Sequence, residues 1–79
     1  MRVKQLLGKK VFDSEAKAIG KITDAEIREE TFSITAVEVS QGIVKKTMID
    51  TRLIAKLGDS VFLSVPLEQA ATALPPEED

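Results

Sequence analysis

Hydrophobic and polar residues alternate in short runs along most of the chain, and a period of two residues is typical of β-strands. Gly, Asp and Ser residues separate these runs, so each break is predicted to be a turn. The spacing favours a closed or nearly closed barrel over a flat sheet. We therefore predict an all-β fold, a small barrel of about five to six strands. The clearest strands are expected near 9–12, 19–28, 32–39, 43–49 and 61–65.

The alternation is broken once in each of the two longest strands. Ile22 lies on the opposite face from Ala25, and Ile34 lies on the opposite face from Val37, if the strands are regular. A break of this kind indicates either a β-bulge or a strand buried on both faces, the second face being covered by a partner. We favour bulges, because a small barrel needs such bends in order to close.

The segment "IDTRLIAKLGD" has the pattern of a short helix instead. Asp50 suits a helix N-cap, and Gly58 suits the residue that follows a helix C-terminus. Between them the apolar residues recur at helical spacing, at Leu53, Ile54 and Leu57. One or two helical turns are therefore predicted between the last two strands.

A second short helix is predicted after Pro66. Its apolar residues fall on one helical face, at Leu67, Ala70, Ala71 and Leu74, and Pro75 ends it. A helix this short is unstable alone in water, so it must dock on its own barrel or on a neighbour. We divide the chain into a barrel domain at 1–66 and a segment at 67–79, which holds this helix and a disordered acidic tail.

The barrel interior is expected to collect apolar side chains from every strand. The predicted core residues are Val11, Ile19, Ile22, Ile27, Ile34, Val37, Ile49, Leu53, Val61 and Leu63.

Composition argues against catalysis. The chain has no Cys and no His, which removes disulfides, thiol nucleophiles and the commonest general base and metal ligand. Asp13, Asp24 and Asp50 could be imagined as a carboxylate cluster for Mg²⁺, but aspartate beside a turn usually accepts backbone hydrogen bonds. We therefore predict a non-enzyme without a cofactor or metal site. Gly20 is expected to adopt a positive φ or to allow close approach of a neighbouring strand.

The order of two stretches resembles a known family. "LLGKKVFDSEAKAIGKITDAEI" and "TMIDTRLIAKLGDSVFLS" resemble the two halves of the PRC-barrel family, over about residues 6–65. The family is named for the H subunit of photosynthetic reaction centres, and it also forms the C-terminal domain of the ribosome-maturation factor RimM. The chain is most similar to short stand-alone archaeal members. It departs from many members at Ala16, where they carry glycine, and the short archaeal members share this variant.

The resemblance implies an adaptor without catalytic residues, in which Asp13, Gly20 and Asp24 serve the fold. Stand-alone archaeal members are associated with cell division, where they bind the membrane-anchoring protein SepF, so a cell-division adaptor is the leading hypothesis. The alternative is an RNA-associated factor resembling RimM, with contacts from Arg2, Lys4, Lys9, Lys10, Lys45 and Lys46. The net charge of −2 and the scarcity of aromatic residues make nucleic acid a less favoured partner.

Assembly is expected on physical grounds. A chain of 79 residues has a small core, and association with a second chain is a common supplement. Phe62 alternates with two core residues and should face outwards. We predict a homodimer, or a heterodimer with a related PRC-barrel protein, with candidate interface residues Phe12, Phe32, Val39, Phe62, Leu67 and Leu74. The apolar runs are too short for a membrane span or a signal peptide, which favours a cytoplasmic protein without membrane insertion.

Overall fold

A computed structural model describes residues 1–42 and 45–73 of the chain. Six strands form one sheet, which begins after a short helix and is followed by another. The elements are α1 (Val3–Leu6), β1 (Lys10–Phe12), β2 (Ala18–Arg28), β3 (Ser33–Gln41), β4 (Lys45–Asp50), a 3-10 helix (Thr51–Leu53), β5 (Ile54–Leu57), β6 (Val61–Leu63) and α2 (Leu67–Ala73).

The sheet has the strand order β4-β3-β2-β1-β6-β5. Neighbouring strands are antiparallel except β1 and β6, which run parallel. The sheet curls into a half-barrel, in which β4 and β5 form the two edges of the part that the structure describes. This confirms the predicted small, mostly β barrel-type fold.

Bulges produce the curl where the sequence pattern predicted them. In β2, Ile22 pairs with Val39 whereas Asp24 pairs with Glu38, so Thr23 is an extra residue. The bulge places Ile22 and Ala25 on the same, inner face of the sheet.

The second bulge lies in β3. Ile27 pairs with Ile34, whereas Glu26 pairs with Ala36, so Thr35 is the extra residue. It brings Ile34 onto the same face as Val37, which resolves the broken alternation without a second buried face. The Thr51 hydroxyl lies 3.2 Å from the Ile34 carbonyl oxygen and 3.1 Å from that of Thr35, so the chain after β4 supplies a donor to the bulge.

The core cluster confirms most of the predicted interior. Seven predicted residues are buried there, and Ile34 and Leu53 are half-buried against it. The cluster consists of Leu6, Val11, Ile19, Ile22, Val37, Val39, Ile49, Val61, Leu63 and Ala70.

One predicted core residue is wrong. Ile27 is 46% exposed, because the second half of β2 has only β3 as a neighbour and projects beyond the rest of the sheet. The two additions at the chain ends, Leu6 and Ala70, come from α1 and α2. The helix α2 therefore docks on its own barrel. Of its predicted stripe, Leu74 lies outside the described residues, as does the tail.

The helical turn predicted after β4 is present, but it is shorter than the predicted segment. Asp50 does act as an N-cap, since its Oδ1 accepts a hydrogen bond from the Arg52 backbone N–H at 2.8 Å. The helix ends after a single 3-10 turn, however, and Ile54–Leu57 forms β5. Pairing of this segment with β6 outweighs its helical spacing, because a strand there gains a ladder of backbone hydrogen bonds. Gly58 lies in the β5–β6 turn and does not follow a helix.

Other differences concern boundaries and one small helix. Phe32 precedes β3 and does not belong to it, and β6 ends at Leu63 rather than at residue 65. The sequence did not predict α1, whose Arg2 backbone N–H donates to Gln5 Oε1 at 2.8 Å. Residues 43 and 44, the predicted start of the fourth strand, lie outside the described residues.

Gly20 allows β2 and β3 to approach each other closely. A Cβ built on Gly20 would overlap the backbone oxygen of Ser40, which confirms the close approach and explains why no side chain is present.

Gly20→Ala should therefore destabilise the fold by at least about 2 kcal/mol. The matched control is Gly58→Ala, because the space around Gly58 is open and its φ is ordinary. Urea unfolding of both variants checks this, and equal midpoints would contradict the close approach.

Candidate functional site

The β1–β2 turn is organised by a buried carboxylate. Asp13 is only 3% exposed, and its Oδ1 accepts hydrogen bonds from the backbone N–H groups of Glu15 and Lys17, both at 2.9 Å. Its Oδ2 lies 3.4 Å from the backbone nitrogen of Leu67, the first residue of α2. Asp13 thus connects the first turn to the C-terminal helix, which is a structural role.

These hydrogen bonds stabilise the charged form of the carboxyl. They lower the pKa of Asp13 from its ordinary value, with the bond from the Lys17 backbone N–H as the largest cause and partial desolvation opposing it.

Ala16 in the same turn has a backbone conformation that favours glycine. Its φ is +64°, a left-handed conformation that glycine adopts without steric cost. Its backbone N–H donates to the Asp13 carbonyl oxygen at 3.0 Å, so the turn holds the alanine in place.

The other two candidate carboxylates also bind locally. Asp24 Oδ1 accepts a bond from the Ala25 backbone N–H at 2.8 Å. Asp50 pairs with Arg52, whose guanidinium side-chain hydrogen bond is the main cause of a lowered pKa for Asp50. The described part of the chain holds no group of three or more acidic, His or Cys side chains that could bind a metal ion.

Two of the predicted interface residues form an aromatic pair, Phe12 and Phe62. They are neighbours across the parallel β1–β6 pairing, and their rings stack with centroids 5.2 Å apart and an interplanar angle of 18°. Phe62 is 36% exposed and faces outwards, as its alternation with Val61 and Leu63 predicted.

The remaining candidates do not join this pair. Val39 is wrong as an interface residue, because the bulge in β2 and the regular register with β4 direct it into the core, where it is fully buried. Leu67 is half-buried against the same core. Phe32 is 84% exposed, but it follows the far end of β2, whereas Phe12 pairs with Ala18 at the start of that strand.

A further apolar surface was missed by sequence reasoning. The uncovered side of the half-barrel holds an open groove of about 370 Å³. Its apolar lining comes from Met1 and from α1, β3 and β5, at Val3, Leu6, Ile34, Val37, Ile54 and Leu57. No sequence signal could identify it, because α1 and β5 were not predicted and the groove exists only once they are in place.

Basic side chains also align across the sheet. Lys10 pairs with Lys21, Lys21 with Ser40, and Ser40 with Lys46, so three exposed lysines share one row and one face. Lys46 lies 4.0 Å from a Glu38 carboxylate oxygen.

This architecture defines a small β-barrel module with apolar side chains on its surface. Residues 1–68 match the PRC-barrel domain, and the chain therefore belongs to the PRC-barrel family. Domains of this family are generally non-catalytic interaction modules. A comparison with curated proteins gave no match. In the described part of the chain, no helix has the length and apolar character needed to cross a membrane.

Asp13 predicts an acid-dependent stability. Because its pKa is lower in the folded chain, the stability it contributes is present above about pH 4, the ordinary aspartate value, and is lost as the pH falls through the folded-state pKa. Asp13→Asn should lower the unfolding temperature at pH 7 and flatten the loss of stability on acidification.

Thermal unfolding between pH 2 and pH 7 measures this effect. Asp24→Asn is the control, since the Asp24 side chain is exposed and accepts a single local bond, and its unfolding temperature at pH 7 should stay near that of the wild type. An Asp13→Asn protein with an unchanged acid profile would contradict the assignment.

Proposed function

We propose that this PRC-barrel protein is a non-catalytic adaptor that binds another protein through apolar side chains on its surface. The main observation in support is the number of large hydrophobic side chains that remain exposed on so small a domain. They are Met1, Val3, Leu7, Ile27, Phe32, Leu57 and Phe62. Burial of these side chains against a partner would remove apolar area from water, which is the main driving force of protein association.

The aromatic pair is the part of this surface best suited to a different protein. Stacked Phe12 and Phe62 present a rigid apolar contact on the outer face of the β1–β6 pairing. Aromatic side chains of this kind contribute large contact area at a small cost in conformational entropy, and they are enriched among the residues that dominate binding energy.

The resemblance of the sequence to stand-alone archaeal PRC-barrel proteins supports a more specific role. We place the protein in the cell-division machinery, with the membrane-anchoring protein SepF as the partner to test first. A related PRC-barrel protein is the other partner that the resemblance supports.

Substitution of the aromatic pair tests the proposal. Phe62→Glu should weaken binding to purified SepF by about tenfold or more, because it replaces an apolar contact with a charge that must be desolvated. Leu7→Glu is the matched control, since Leu7 is comparably exposed at 41% but lies outside the pair. Isothermal titration calorimetry measures both. Absence of SepF binding by the wild type, or equal affinities of the two variants, would contradict the proposal.

The lysine row supports RNA binding as a second candidate function. The three lysines, on β1, β2 and β4, are spaced about 5 Å or 10 Å apart along the row, which allows contact with successive phosphates. Affinity for ribosomal RNA that falls steeply with salt, and falls further in Lys21→Gln, would favour this function over the adaptor.

A further inference from the structure

Phe32 occupies a backbone position that disfavours it. It ends the β2–β3 turn with a φ of +63°, and its backbone N–H donates to the Arg28 carbonyl oxygen at 2.7 Å. A left-handed residue that closes a turn of this kind is usually glycine or asparagine, and a bulky side chain there is strained.

The rest of the fold leaves the Phe32 side chain largely uncovered. At 84% exposed, Phe32 is the most exposed large hydrophobic residue in the described part of the chain. Ala16, the other non-glycine residue with positive φ there, differs in having a minimal side chain in a turn held by Asp13. An aromatic residue that is both strained and uncovered indicates a role outside the monomer, since strain persists where function requires it.

The open groove offers the matching receptor. It is lined by apolar side chains, of which Met1, Val3 and Leu57 are exposed, and it is large enough to accept an aromatic ring. Arg2, the N-cap residue of α1, also lines the groove, and α1 has no acidic residue in its first turn. The groove is therefore an apolar site with one basic side chain, Arg2, in its lining.

The turn that presents Phe32 has the complementary charge. Glu29 and Glu30 precede Phe32 in the same turn, and both are exposed. An aromatic side chain flanked by two carboxylates fits an apolar groove that Arg2 lines, and it does not fit an anionic membrane surface.

We propose that Phe32 of a second copy of this chain occupies the groove, and that Phe32 of the first copy occupies the groove of the second in the same way. Ile34, which lines the groove, is only two residues from Phe32, so the anchor and the receptor are adjacent on the monomer. Adjacent complementary surfaces can pair about a two-fold axis, which gives a closed dimer rather than an open chain. The proposal rests on the function proposed above, because it names one partner for the interaction module, but it uses a surface separate from the aromatic pair.

Phe32→Gly distinguishes a role of Phe32 in dimerisation from a role in the stability of the monomer. Glycine relieves the strained φ, so the monomer should unfold at a higher temperature, while the dimer should dissociate at least about tenfold more readily. Ala16→Gly is the matched control, because it relieves strain at the other positive-φ position and should leave dimerisation unchanged. Sedimentation equilibrium between about 1 and 300 µM, with thermal unfolding at the lowest concentration, measures both quantities.

A mixing experiment tests the receptor. Leu57→Glu should abolish self-association by placing a charge in the groove, and in an equimolar mixture with Phe32→Gly it should recover part of it. The reason is that the Leu57→Glu chain supplies the anchor and the Phe32→Gly chain supplies an intact groove. Dimers that form in the mixture, but not with either variant alone, would support insertion of Phe32 into the groove of the other chain.

Three results would overturn the proposal: a wild type that stays monomeric at 300 µM, a Phe32→Gly variant that dimerises as well as the wild type, or a Phe32→Gly monomer that is less stable. Titration of Phe32→Gly with SepF separates the two proposals. Retained SepF binding together with lost dimerisation supports both, whereas retained SepF binding beside a monomeric wild type overturns only the dimer.

Discussion

The structure depends on a sheet that is curled but not closed. The register shifts once between β1 and β2, twice between β2 and β3, and once between β5 and β6, and each shift bends the strand that carries it. The bends wrap six strands around one apolar core, yet β4 and β5 remain the edges of the described sheet. The core is therefore enclosed on most sides and open along one, and the exposed apolar side chains of the groove, such as Val3 and Leu57, lie on that open side.

Two local contacts hold the curl in place. The absence of a side chain at Gly20 lets β2 pass close to the backbone of Ser40 on β3. In the adjoining β1–β2 turn, Asp13 binds two backbone N–H groups and reaches the first residue of α2, so that Ala70 of this helix enters the core. Residues that a motif search could take for a catalytic acid or a phosphate-binding glycine therefore serve the geometry of the barrel.

Much of this fold could be predicted from the sequence, because the strands are long enough for their periodicity to be read and the broken alternation marks the bulges in β2 and β3. The segment that includes Ile54 and Leu57 could not be assigned, since four residues satisfy both helical and strand spacing and only pairing with β6 decides between them. The exposure of Ile27 and the burial of Val39 depend on which strands flank them, and that is a property of the sheet order.

The candidate site was harder to predict for the same reason. Phe12 and Phe62 meet only because β1 and β6 pair in parallel, an arrangement between strands that are far apart in the chain. The positive φ of Phe32 is likewise not evident from the sequence, because the alternation predicts that Phe32 begins the third strand, where its φ would be ordinary. The chemical character of these side chains can be read from the sequence, whereas the residues they contact depend on how the strands are ordered in the sheet.

The central claim is that the uncovered side of the half-barrel is closed by another polypeptide chain. The most direct measurement is a dilution series followed by ¹H–¹⁵N and methyl NMR spectra of the wild-type protein. We predict concentration-dependent shifts confined to the β2–β3 turn around Phe32 and to the groove around Leu57, with the Asp13 turn unchanged. Spectra that are identical at all concentrations, or shifts centred on the Asp13 turn, would contradict the claim.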